Sequence, residues 1–276
     1  MNQKHSGGWL CSKQDSESIK LLKLYEEFNK TIDPKLRKSV VSYIKNNRTK
    51  FGKILYKTKD CYVDNMTFKE FINSVALIGG LSMGIEDEEE AIKRFIKLIN
   101  ESIDMIFKKN KHLKSEFSKE DVKKTIKLYS FYHPYIGYAF EQRLRDLIKS
   151  DDRYDIYTSE ELDLKYAIDM QVHDKKTNMV IGLQLKTFSF WYISKDKKED
   201  YKSKNLKGIA YKFCSDVYYV FHDNECNIIS NNFESMIHYK KACESEEKYF
   251  CVEDENMFLF DLNKAFEEVG NVENDV

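Results

Sequence analysis

The stretch Leu164–Lys186, LKYAIDMQVHDKKTNMVIGLQLK, decides how the second half of this chain is read. Leu164, Tyr166, Ile168, Met170 and Val172 alternate with Lys165, Ala167, Asp169, Gln171 and His173, the period of a strand with one apolar face. Further on, Met179, Ile181, Leu183 and Leu185 alternate with Val180, Gly182, Gln184 and Lys186, so Gln184 and Lys186 share a side of the pleat. Between the two runs lies Asp174-Lys175-Lys176-Thr177-Asn178, a short and polar turn. If the loop is Lys176-Thr177, or the longer Lys175 to Asn178, Asp169 falls opposite Gln184 with side chains about 5 Å apart. A slip of one residue would put them on opposite faces.

Outward from this hairpin the period changes. Upstream, Ile136, Phe140, Leu144, Leu147 and Ile148 make the apolar face of a helix after Pro134, with Glu141 beside that face. Downstream, residues 201–214 read as a helix, 217–222 as a strand, 226–229 as a further strand and 233–243 as a helix. Helices packed on a small central mixed sheet give an α/β fold of the α+β kind.

The region before Pro134 reads as helical throughout. Residues 1–15 are polar and expected to be loosely ordered. Ser16 to Asn47 carries helical spacing through Leu21, Leu24, Tyr25 and Phe28, broken near Asp33-Pro34. Thr67 can cap a helix reaching Leu77, with Glu70 three residues on, and Gly79-Gly80 is expected to end it. Glu88 to Phe107 is a long amphipathic run, and Ser118 caps another that reaches Tyr129. The expected organisation is therefore a flexible terminus (1–15), an all-helical region (16–132) and a mixed region (133–276).

Composition narrows the class. With 276 residues, 42% hydrophobic and 33% charged, the chain can bury a sizeable core. No apolar run approaches the roughly 18 to 20 residues that span a bilayer, and the N-terminus lacks a signal-peptide core. A cytoplasmic protein without a membrane partner is expected. The six cysteines and six histidines are scattered, so free reduced thiols are expected and neither a disulfide framework nor a zinc site is. The net charge of −1 hides segregation: lysines crowd residues 108–127 and 195–212, while acids dominate 86–90 and 244–275. Such lysines are either solvated helix faces or phosphate partners.

The order of a helix with Glu141, a run with Asp169, the triplet Gln184-Leu185-Lys186, a helix and the strand at 217–221, together with Gly137-Tyr138-Ala139-Phe140-Glu141, resembles the PD-(D/E)XK nuclease superfamily. The likeness covers roughly His133 to Asn231. It is closest in kind to type II restriction endonucleases with Gln-x-Lys in place of Glu-x-Lys. The resemblance implies a restriction-endonuclease-like core and a site of Glu141, Asp169, Gln184 and Lys186. It implies Mg2+, or Mn2+ in its place, held by Asp169, the Gln184 amide oxygen, the Leu185 carbonyl and Glu141. Glu161 or Asp163 stands in if Glu141 points away, and Lys165 and Gln171 are further candidates. The implied reaction is hydrolysis of double-stranded DNA at a short specific site by a homodimer, with the helical region used for recognition or dimerisation. Two alternatives remain: a structure-specific or modification-dependent nuclease, and a catalytically inactive DNA-binding protein of the same fold. The bland readings are a surface carboxylate for Asp169, a snorkelling lysine for Lys186 and a Glu141–Arg145 helix pair. The aromatics at 188–192 read as core or interface.

Overall fold

The computed structural model describes residues 14–46, 58, 61–81, 83–187, 216–222, 249–250, 259 and 262–267. The chain divides into two compact units, Met1–Ala139 and Phe140–Val276. That division falls seven residues inside a helix that begins at His133.

The described part of the first unit is helical. Asp15 caps α1 (Ser16–Thr31) by accepting the Ser18 N–H at 2.6 Å. The break at Asp33-Pro34 has two causes. Proline suits the first helical position, where its missing N–H costs nothing, and the Asp33 carboxylate takes the N–H groups of Lys35 and Leu36 at the start of α2 (Pro34–Asn46). At α3 (Phe68–Leu81) Thr67 and Glu70 close a reciprocal capping box, with bonds of 3.2 and 2.6 Å. Gly79-Gly80 does not stop this helix, contrary to the expectation from sequence. A Cβ on Gly80 would lie 2.1 Å from the Ala91 Cβ and 2.5 Å from its Cα, so Gly80 is the point where α3 meets α4 (Glu88–Lys109) backbone to side chain. The short α5 (Leu113–Glu116) follows, then α6 (Lys119–Lys127), which opens with a Ser118/Asp121 capping box. A π-helical turn, Leu128–Tyr132, leads directly into α7 (His133–Lys149). The core of the unit is rich in rings: Tyr25, Phe68, Phe71, Tyr132 and Tyr135 are buried in mutual edge or tilted contacts.

The second unit is a mixed α+β layer. From α7 it buries Phe140, Leu144 and Ile148, one face of the helix at four-residue spacing. A five-stranded sheet follows in the order β1 (Tyr154–Tyr157), β2 (Met170–Asp174), β3 (Met179–Thr187), β4 (Asp216–His222) and β5 (Tyr249–Phe250). β2 runs antiparallel to both β1 and β3, whereas β4 is parallel to β3 and β5 to β4. In register, Tyr154, Met170, Val172, Met179, Ile181, Leu183, Tyr218 and Val220 share one face, and all are buried. Helical residues 262–267 contribute Leu262 and Phe266 to the core, and the Phe266 ring stacks on Tyr154.

One expectation for this unit is overturned. Residues 164–166 are not the start of a strand but the end of a helix, α8 (Glu160–Tyr166). Ser159 caps it by accepting the Leu162 N–H, and Glu160, Glu161 and Asp163 in the first turn favour its positive end. The apolar face is Leu162 and Tyr166, four apart, packed with Ile168, Val180 and Val217. Leu164, read from sequence as part of a strand stripe, is 57% exposed. The anticipated helices at 201–214 and 233–243, the strand at 226–229 and the aromatics at 188–192 lie outside the described residues.

Candidate functional site

The C-terminal end of α8 delivers Asp169 to the sheet. Ala167 takes a left-handed conformation, φ 53°, with its N–H on the Asp163 carbonyl, while the Ile168 N–H returns to the Leu162 carbonyl at 3.1 Å. The Ala167–Asp163 bond is that of a left-handed (αL) helix cap, here built on alanine rather than glycine. Ile168 drops into the small apolar cluster, and the chain turns sharply so that Asp169 meets β3.

The β2–β3 ladder has the register expected from parity. Asp174 pairs with Met179 across the four-residue loop Lys175 to Asn178, and the last pair is Met170 with Leu183. Counting one step further brings Asp169 level with Gln184. The hydrogen bonds refine the simple picture of two side chains facing each other across a ladder. The Asp169 N–H donates to the Leu183 carbonyl at 2.9 Å, and its carboxylate Oδ2 accepts the Leu185 N–H at 2.6 Å. The carboxylate thus stands where a strand carbonyl would have continued the ladder. Charge-assisted bonds of this length are about twice as strong as neutral ones, so Asp169 is held firmly. Within a strand a residue's N–H and C=O leave by the same edge, so the Leu185 carbonyl also faces the end of β2.

Gln184 lies in β3 with only 2% of its surface exposed, on the sheet face that carries Gln171 and Gly182. Gln171 is buried as well, and its Nε2 has no hydrogen-bond partner among the described residues. An unpaired buried amide donor costs about 1 to 3 kcal/mol, which marks this face as unfinished without a further polar group. Lys186 is the next residue but one in β3, level with Phe221 of β4; its side chain lies outside the described residues. Glu141 is half-buried in α7, a separate element of the same unit. Lys165 is not on a strand beside Asp169: it lies on the exposed side of α8, paired with Glu161 at 3.1 Å. Asp163 is on the same helix. Among the described residues no group of three or more His, Cys, Asp and Glu side chains is gathered for a metal ion. A cation at Asp169 would therefore need the amide and carbonyl oxygens of Gln184 and Leu185 as well as carboxylates.

A second polar cluster at the other end of the hairpin went unnoticed in the sequence. Asp174 is fully buried and receives both Arg153 Nε and Nη2 at 2.6 Å, together with the Thr177 hydroxyl at 2.7 Å and the Lys176 N–H at 3.0 Å. Arg153 and the Tyr154 hydroxyl both donate to Asn263 Oδ1. Burial pushes the Asp174 carboxyl up, but the bonds from Arg153, Thr177 and Lys176 outweigh it and hold its pKa down at about 2. Every acceptor position of Asp174 is used for structure, and it pins the turn whose length sets the register. The pattern Asp-x-x-Thr at a turn was the available signal.

Comparison with family models, with curated proteins and with solved structures finds no match for this chain.

Proposed function

We propose that this protein is a divalent-metal-dependent endodeoxyribonuclease with a restriction-endonuclease-like core, acting as a homodimeric type II restriction endonuclease on double-stranded DNA. The observation that carries the reading is the Asp169 carboxylate bonded to the backbone of the Gln184-Leu185-Lys186 triplet at the open end of a mixed sheet. The strand directions add support, since an antiparallel β1–β2–β3 meander followed by a parallel β4 accommodates the helix-strand-strand-helix-strand order of that superfamily.

Carboxylate, amide and carbonyl oxygens are hard donors, the kind that Mg2+ or Mn2+ prefers. Asp169, Gln184, the Leu185 carbonyl and Glu141 would hold the cation, which when bound supplies Lewis-acid polarisation of the phosphodiester and an activated water. The Leu185 N–H fixes one carboxylate oxygen of Asp169, so little reorientation is needed on binding. Gln171 would donate its unsatisfied N–H to a phosphate oxygen. Lys186 would orient the attacking water and offset charge that develops on the phosphorus oxygens.

Incubation of the purified protein with long unmodified duplex DNA and Mg2+, followed by sequencing of the ends, tests the reading. Discrete fragments with a common end sequence are expected. Cleavage only of branched or modified DNA would move the assignment to a structure-specific or modification-dependent nuclease. Binding without cleavage in either metal would reject the enzyme.

A further inference from the structure

We infer that α2 of the helical unit is a docking surface for the phosphodiester backbone of nucleic acid, separate from the site at Asp169. The inference deepens the nuclease reading and rests on it for the choice of polyanion, but the surface itself stands on its own observations. Two clefts of about 450 and about 490 Å³ flank this helix and share Lys38, Ser42 and Asn46. The first is completed by Lys35, Lys109 and His112; the second by Arg37, Lys45 and Tyr129. No Asp or Glu lines either cleft.

The helix itself is built for this. Pro34–Asn46 carries Lys35, Arg37, Lys38 and Lys45 and not one acid, in a chain whose net charge is −1. Leu36 and Val40, four apart, are its buried stripe, so the cations occupy the remaining faces. Lys35, Lys38, Ser42 and Lys45 recur at intervals of three and four, which aligns them along about 15 Å of helix. One strand of duplex DNA presents a phosphate about every 3.4 Å of axis, so that length passes several phosphates. Lys35 has a long 3.4 Å pair with Glu116, and Lys109 lies over the Tyr43 ring. Among the described residues Lys38, Lys45 and Lys109 have no carboxylate partner. Near the start of the neighbouring α4, by contrast, Lys93 and Arg94 are both paired to glutamates. Uncompensated cations interleaved with hydroxyl and amide donors are the chemistry that positions a phosphate backbone without reading bases.

The test measures binding of a fluorescein-labelled duplex by anisotropy in EDTA, where no cleavage occurs, over a range of salt concentrations. Each phosphate contact contributes about 0.9 to the slope of log affinity against log salt. Lys38→Gln/Lys45→Gln/Lys109→Gln should lower that slope by about 2.7, and the corresponding triple arginine variant should restore it. Each single glutamine variant should lower it by about 0.9, which keeps the test sound if the triple variant fails to fold. Wild-type protein that does not bind duplex, or folded glutamine variants with the parental slope, would overturn the inference. Cleavage in Mg2+ is scored separately: reduced slopes in a protein that never cuts would support this surface and reject the nuclease.

Discussion

Removing the charge of Asp174 gives the most quantitative test of how the hairpin is held. Asp174→Asn preserves shape and leaves one acceptor oxygen, but the Arg153 guanidinium loses its counter-charge in a site where the carboxyl is fully buried. The carboxyl titrates near 3.8 when free and at about 2 in the folded protein. At about 1.4 kcal/mol for each tenfold change, that difference is about 2 to 3 kcal/mol of stability. The sign follows from the direction: a carboxyl whose pKa falls on folding stabilises fully above its free value and loses that contribution as pH drops through the folded value. Asp174→Asn should therefore cost about 3 to 4 kcal/mol at pH 7, with the excess over the titration figure reflecting the unpaired Arg153. The gap to wild type should stay flat down to about pH 4 and then narrow toward pH 2, where the parental side chain is about half protonated in the folded protein.

Urea unfolding followed by pulsed hydrogen exchange on peptides within Met170–Thr187 isolates this hairpin from the helical unit. A gap that stays constant from pH 7 to pH 3, or one below about 0.5 kcal/mol, would refute the argument. The constant gap would show that the cost does not come from the charge of Asp174, and the small one would place Asp174 among pairs that contribute no more than an exposed surface bridge.

Further outcomes follow from the same geometry. Gly80→Ala should destabilise by roughly 1 to 3 kcal/mol, read as a lower thermal midpoint, because the added methyl meets the Ala91 backbone and not a movable side-chain tip. Ala167→Gly should leave stability within about 1 kcal/mol of wild type, since relief at the left-handed position offsets the greater freedom of the unfolded chain, whereas Ala167→Val should cost more; urea midpoints decide it. Gln171→Met should raise stability by about 1 kcal/mol by removing a buried unpaired donor, while slowing DNA cleavage if that donor serves a phosphate; denaturation and single-turnover assays separate the two effects. Lys186→Ala should cut the cleavage rate by roughly 10² or more with duplex affinity in EDTA unchanged, and Gln184→Glu should preserve or tighten Mn2+ binding by calorimetry.

Much of the architecture was legible because it is written in local chemistry. The helix starts at Thr67 and Ser118 follow from side chains that satisfy the first N–H groups, and the break at Asp33-Pro34 from proline geometry. The β2–β3 register was legible for another reason: parity allows only an even loop if Asp169 is to reach Gln184, and the loop proves to be four residues. What the sequence concealed are features set by tertiary contact. Gly79-Gly80 has the composition of a helix stop, yet Gly80 is small because Ala91 occupies the space beside it. Arg153 and Asp174 are 21 residues apart, and nothing local announces that they meet.

The misreading of Leu164–Ile168 as strand shows why the site itself was only half visible. Leu162, Tyr166 and Ile168 satisfy a helical face with its cap, while Leu164, Tyr166 and Ile168 satisfy a strand, and period alone cannot choose between them. The choice falls to Ser159 and the acids after it, which stabilise a helix start, and to the sheet, which leaves Leu164 in solvent. The consequence for chemistry is direct. On a continuous strand Asp169 would extend its carboxylate from one face and its backbone would pair as any other. After a left-handed turn at Ala167 the carboxylate instead replaces a backbone acceptor and locks onto the Leu185 N–H. The same turn that ends the helix therefore fixes the acid beside the carbonyl edge of Leu185, a positioning that alternation in the sequence pointed toward but had no means to specify.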